Sequence, residues 1–145
     1  MLPSALEQSP SIHVPEIDEQ HRMLMALMRD LYDDVRLARG NQAIGEVFDE
    51  LVEYTRYHFA GEERWMRDIQ FPGYLLHKAV HDEVCDQLAE LRAHFEKTGR
   101  SAVDTAVLEF LCEWLISHIT VEDQAIVAYL SEPDGDWADA PVSVH

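Results

Sequence analysis

Imidazoles and carboxylates recur in this chain at spacings that fit one face of a helix. His58 and Glu62 stand four residues apart in "HFAGE", and His77 and His81 four apart in "HKAVH". In "HITVED", His118 precedes Glu122 by four positions and Asp123 by five, and His21 lies between Ile17 and Leu24. Each group falls in phase with apolar neighbours: Leu51 and Tyr54 before His58, and Val84, Leu88 and Leu91 after His81. Singly, each has a plain explanation, a satisfied core histidine or a surface pair one turn apart. A polar side chain buried without a partner costs about 1–3 kcal/mol, so the same feature in the buried phase of four separate segments calls for a common partner. A metal ion is such a partner.

The donor set narrows the metal. Structural zinc is satisfied by four ligands, and the chain carries no "HExxH". Five histidines and two carboxylates exceed the needs of one ion, and nitrogen and oxygen donors without thiolate suit iron, with manganese less well matched. Two six-coordinate ions offer twelve positions. Five histidines, two bridging carboxylates and one bridging oxide or hydroxide leave a single position open for a small molecule. The other dinuclear bundle, the ferritin-like type, needs Glu-x-x-His on two helices, and no Glu-x-x-His occurs in the sequence. On helix four the two acids stay open: an ideal helix turns roughly 100° per residue, placing Glu122 about 40° from His118 and Asp123 about 140° away.

Four helices must position these residues. The stripe 17, 21, 24, 28, 31, 35 predicts a first helix from Ile17 that stops before Gly40, with Asp18 as a first-turn acid. A second opens near Asn41, turns Ile44, Val47, Leu51 and Tyr54 or Thr55 inward, and breaks at "IQFPG". The third runs from Gly73 or Tyr74 to Thr98, and the fourth from Ser101, a candidate cap, to Leu130. Short connections between long helices predict an all-α, antiparallel up-down-up-down four-helix bundle. The expected organisation is an N-terminal arm (1–16), the bundle (17–130) and a short acidic, flexible tail (131–145).

Composition bounds the function. The 28 acidic against 11 basic residues give a formal charge of −17, a field that repels nucleic acid and anionic membranes. No apolar run approaches the roughly 18 residues of a membrane span, and the N-terminus lacks the basic start and apolar block of a secretory signal, so a cytoplasmic protein is expected. Cys85 and Cys112 fit buried, reduced thiols, and His13, His94 and His145 exposed or capping side chains.

The order His, His-x3-Glu, His-x3-His, His-x4-Asp, with "IDEQH", "HFAGEE", "FPGYLLHKAVH" and "WLISHI" around it, resembles the hemerythrin family, its bacterial branch in particular, over roughly residues 12 to 130. The resemblance implies two iron ions with an oxo or hydroxo bridge. His77, His81 and His118 would hold one and His21 and His58 the other, with Glu62 and Asp123 bridging. It thereby favours Asp123 over Glu122. It also implies O2 as ligand, in a pocket walled by Leu115 and Ile119 with Leu24 one turn after His21, whereas Met25, Met28 and Met66 read as plain core. Reversible O2 binding for transport, storage or sensing is the expected function, rather than enzymatic turnover. A di-iron oxidoreductase acting on peroxide, nitric oxide or ferrous iron is the alternative, and a bundle with incidental ligands the third reading. A downstream signalling domain or partner protein stays open. "SPSIHVPEID" departs from the tryptophan and Val-Gly-like turn usual ahead of helix one in the bacterial members.

Overall fold

The computed structural model describes residues 11–132, so most of the expected arm and tail, and His145, lie outside the described residues. Helix α1 (Pro15–Arg36) begins two residues earlier than expected, because Pro15 supplies a preset φ at a position where its missing N–H costs nothing. Helix α2 (Asn41–Asp68) and α3 (Tyr74–Thr98) have the expected bounds. Gly99 ends α3 at φ 71°, ψ −151°, a backbone region that side chains resist, and a Cβ there would stand 2.8 Å from Asn41.

The fourth rod differs from expectation at its start and its middle. Residues Gly99–Ala102 form a 3-10 turn, so Ser101 caps nothing, and its hydroxyl donates to the Thr98 carbonyl. The cap is Asp104, whose carboxylate accepts from the Val107 N–H at 2.8 Å. Helix α4 (Thr105–His118) then passes into a π turn (Ile119–Asp123) and continues as α5 (Gln124–Ser131). The Thr120 hydroxyl donates to the carbonyls of Ile116 and Ser117 at the entry to this turn, the kind of side-chain competition that distorts an α ladder.

The helices form a four-helix bundle whose apolar stripes meet on the axis. Leu24, Met28 and Leu31 face Ile44, Phe48, Leu51, Leu88, Phe95, Leu108 and Leu115. Each such side chain contributes roughly 1.5–3 kcal/mol by leaving water. A smaller cluster of Met66, Phe71, Ala125 and Ile126 closes the opposite end. Val47, Tyr54, Val84 and Leu91 are half-buried, and Thr55 is the fully inward residue of the Tyr54–Thr55 pair. Cys112 is buried, Cys85 half-buried, and both are free thiols. His13 and His94 are exposed. Among the described residues, no helix is long and apolar enough to cross a membrane.

Candidate metal centre

The polar anomaly sits between the two apolar clusters. His21, His58, His118, Glu62 and Asp123 are 0% exposed, and His77 and His81 no more than 4%. Because alternate helices run in opposite directions, the residues one turn beyond these donors form common layers. Leu24 follows His21, Thr55 and Leu51 precede His58, Val84 and Leu88 follow His81, and Leu115 and Leu111 precede His118. These residues enclose an apolar cavity of about 30 Å³ together with Met28, Phe59 and Trp114. Two of the three expected pocket residues, Leu24 and Leu115, are on its wall. Ile119 is fully buried but lies outside it.

Within the cluster, each carboxylate points its two oxygens at different histidines. Glu62 Oε1 lies 2.7 Å from His77 Nε2, 3.2 Å from His81 Nε2 and 3.7 Å from His118 Nε2. Its Oε2 lies 3.3 Å from His58 Nε2 and 3.9 Å from His21 Nε2. Asp123 repeats the division, with Oδ1 at 3.2 Å from His77 and 3.3 Å from His118, and Oδ2 at 3.1 Å from His21. The histidines therefore separate three against two, with the carboxylates spanning the divide.

The π turn explains how Asp123 comes to be here. Its i→i+5 pattern sets residues five apart over one another, where an α-helix would have presented Glu122. Glu122 is buried as well, but its Oε1 stands 3.9 Å from His118 Nδ1, behind the ring.

Other neighbours fix the rings. His58 Nδ1–H donates to Gln20 Oε1 at 2.7 Å and His81 Nδ1–H to Glu63 Oε2 at 2.9 Å, which leaves each Nε2 lone pair facing the cluster. Phe59 stacks flat on His81 with centroids 3.7 Å apart, and Trp114 lies nearly parallel to His118. Gln20, Glu63, Phe59 and Trp114 were not singled out from sequence as site residues. Their signal was adjacency, since Gln20, Phe59 and Glu63 each directly adjoin a donor in "IDEQH" and "HFAGEE".

Electrostatics and unmet bonding both call for cations. Burial alone would lower the His77 pKa, but the nearby carboxylates of Asp123 and Glu62 outweigh it and raise it to about 9. At His118 burial is likewise outweighed, by the Asp123 charge and by Glu122 and Glu62, and the value rises to about 10. Burial opposes ionisation of Glu62, yet four imidazoles hold it well below the usual carboxylate range. Asp123 is also lowered, with burial and the Glu62 charge overcome by His118, His21 and His77. Both nitrogens of His21, Nε2 of His58, Oε2 of Glu62 and both oxygens of Asp123 are buried and make no hydrogen bond. Such atoms are rare in folded proteins unless something else satisfies them. The donors fall into two groups, Glu62–His77–His81–His118 and His21–His58–Glu62–Asp123, each with atoms within 4.8 Å of one another. Two cations fit this set.

Residues 13–130 match the family model described as the hemerythrin HHE cation binding domain. The chain belongs to the hemerythrin family. A bacteriohemerythrin from Stenotrophomonas maltophilia (strain R551-3) is 36% identical over 115 residues, covering 79% of this chain and 73% of that one. Myohemerythrin from Sipunculus nudus is 29% identical over 121 residues, covering 83% of this chain and 88% of that one. A crystal structure of wild-type hemerythrin superimposes with a TM-score of 0.73 at 27% identity, covering 89% of this chain and 94% of that one. Family membership and the paired donor groups together support a non-haem iron, O2-binding domain.

Proposed function

We propose that this hemerythrin domain binds O2 reversibly at a di-iron centre bridged by oxide or hydroxide, serving transport, storage or sensing. His77, His81 and His118 would hold one iron and His21 and His58 the other, with Glu62 and Asp123 bridging. The three-to-two division of histidines across the two carboxylates carries the reading, because the ion held by His21 and His58 would have one protein donor fewer and so room for a ligand. The iron pair, when bound, supplies the electrons that hold O2 and takes them back on release.

The chain's own residues serve reversibility. Glu62 and Asp123 contribute two negative charges that offset the cations in a medium of low polarity. Leu24, Leu115 and their neighbours give the adjoining cavity a wall without a titratable side chain, so no protein group there delivers a proton to bound ligand. The one hydroxyl on that wall, Thr55, donates at 2.7 Å to the Leu51 carbonyl and is already engaged. Gln20 and Glu63 keep the imidazoles aimed while ligand enters and leaves.

The test is an anaerobic Fe2+ reconstitution followed by cycles of O2 admission and removal, read by visible absorption. A long-lived adduct that disappears on deoxygenation and returns on re-exposure is expected. Immediate conversion to the ferric protein with no adduct overturns the reading, and sustained consumption of O2, peroxide or nitric oxide would point to the oxidoreductase alternative.

A further inference from the structure

His21 differs from His58 and His81 in how it is aimed. The ring of His58 is pinned through Nδ1 by Gln20 and that of His81 by Glu63, whereas His21 Nδ1 makes no hydrogen bond; nor does Nδ1 of His118, whose ring lies nearly parallel to Trp114. Its direction therefore depends on where the backbone places it, near the start of α1. Asp123, 3.1 Å away, depends in the same way on the π turn, which joins α4 to α5. Helix ends and helix irregularities are the parts of a bundle that local hydrogen bonding holds least well.

A clasp spans these two places. The Asp18 carboxylate, one turn before His21, accepts from the Ile12 N–H at 2.9 Å through Oδ1 and from the Ser11 hydroxyl at 2.7 Å through Oδ2. The Ser11 carbonyl in turn accepts from the Gln124 amide at 2.9 Å, and Gln124 is the residue after Asp123. His13 bends the chain at φ 62°, its N–H donating to the Ser11 hydroxyl, and Ile12 inserts fully into the core beneath. The segment ties the start of α1 to the end of the π turn, where His21 meets Asp123.

We propose that Asp18 and Gln124 are positioning residues that hold His21 against Asp123 and so govern the two-histidine ion rather than the three-histidine one. The inference rests on the two-ion reading above. The two-histidine position has the fewer protein donors and depends more on preorganisation, so the three-histidine position fills first.

Anaerobic titration of the metal-free chain with Co2+, followed by visible absorption, separates the two steps. For the unaltered chain two ions are expected per chain. In Gln124→Met and Asp18→Asn the first affinity is expected to be retained and the second to fall roughly 10- to 100-fold, the usual effect of losing an outer-shell partner. Circular dichroism and the melting temperature of the metal-free variants are recorded alongside. Unchanged second-site affinity overturns the clasp, as does a parallel fall in both affinities that follows a lowered melting temperature. Fewer than two ions in the unaltered chain would overturn the two-ion reading itself and the clasp with it.

Discussion

Glu62 reaches toward five imidazoles from a position with no access to water, and its two oxygens serve opposite halves of the cluster. In the metal-free chain, where His77 and His118 carry raised pKa values, it is also a counter-charge to buried imidazolium. Glu62→Gln keeps the shape and removes the charge. It is expected to destabilise the metal-free bundle by about 3–5 kcal/mol, the cost of leaving a buried charge without its partner. Urea unfolding of chelated protein measures this, and iron per chain should fall in the same variant. The five histidines and Glu62 were legible in the sequence because each repeats one helical turn from apolar neighbours, whereas Asp123 was favoured only by the family resemblance. The residues that aim them were less so. Gln20 reaches His58 across 38 positions and Glu63 reaches His81 across 18, and such pairings depend on the register between helices, which no local pattern encodes.

Among the elements, the rod from Thr105 to Ser131 shows where periodicity misleads. Counting at 3.6 residues per turn favours Glu122, and only an i→i+5 turn puts Asp123 beneath His118. The run Ile119–Thr120–Val121, two branched aliphatics around a threonine that bonds back to Ile116 and Ser117, is the local trace of that turn, too weak to read unaided. The two acids should thus separate in function. Asp123→Ala is expected to prevent retention of an ion pair, whereas Glu122→Ala should still take up two ions, with affinity reduced by no more than about 100-fold. Iron content after desalting distinguishes them. The boundaries of α2 and α3 were legible from Gly40, "FPG" and Gly99. The cap of α4 was not, because the 3-10 turn over Gly99–Ala102 moves the start from Ser101 to Asp104.

For the whole molecule, the buried charges make stability depend on pH in opposite senses with and without metal. The raised pKa values of His77 and His118 contribute stability that is fully present below the ordinary histidine value of 6.5 and is lost as pH rises through about 9 and about 10. The lowered values of Glu62 and Asp123 contribute stability present above their ordinary values of 4.5 and 3.8 and lost as pH falls through the depressed ones. The metal-free bundle should accordingly be most stable between about pH 5 and pH 6.5. Bound cations take the place of those protons, so the loaded bundle loses metal as pH falls through the histidine range. The difference in melting temperature between loaded and metal-free protein is expected to widen from about pH 6 to about pH 9, as scanning calorimetry would register. The fold class was legible from four stripes and short connections. The layering was not, since the apolar cavity above the histidines and the Met66–Phe71 cluster below them arise only when four rods are set side by side.

Complete enclosure of the donors also has a kinetic side. Small apolar molecules can slip between packed leucines, but a chelator the size of a multidentate carboxylate cannot reach a cation inside this bundle while all four rods are docked. Departure must wait for a helix to swing away, an event governed by local unfolding. Residence time then becomes a clock for the protein's own breathing, and the strength of the scavenger outside ceases to matter.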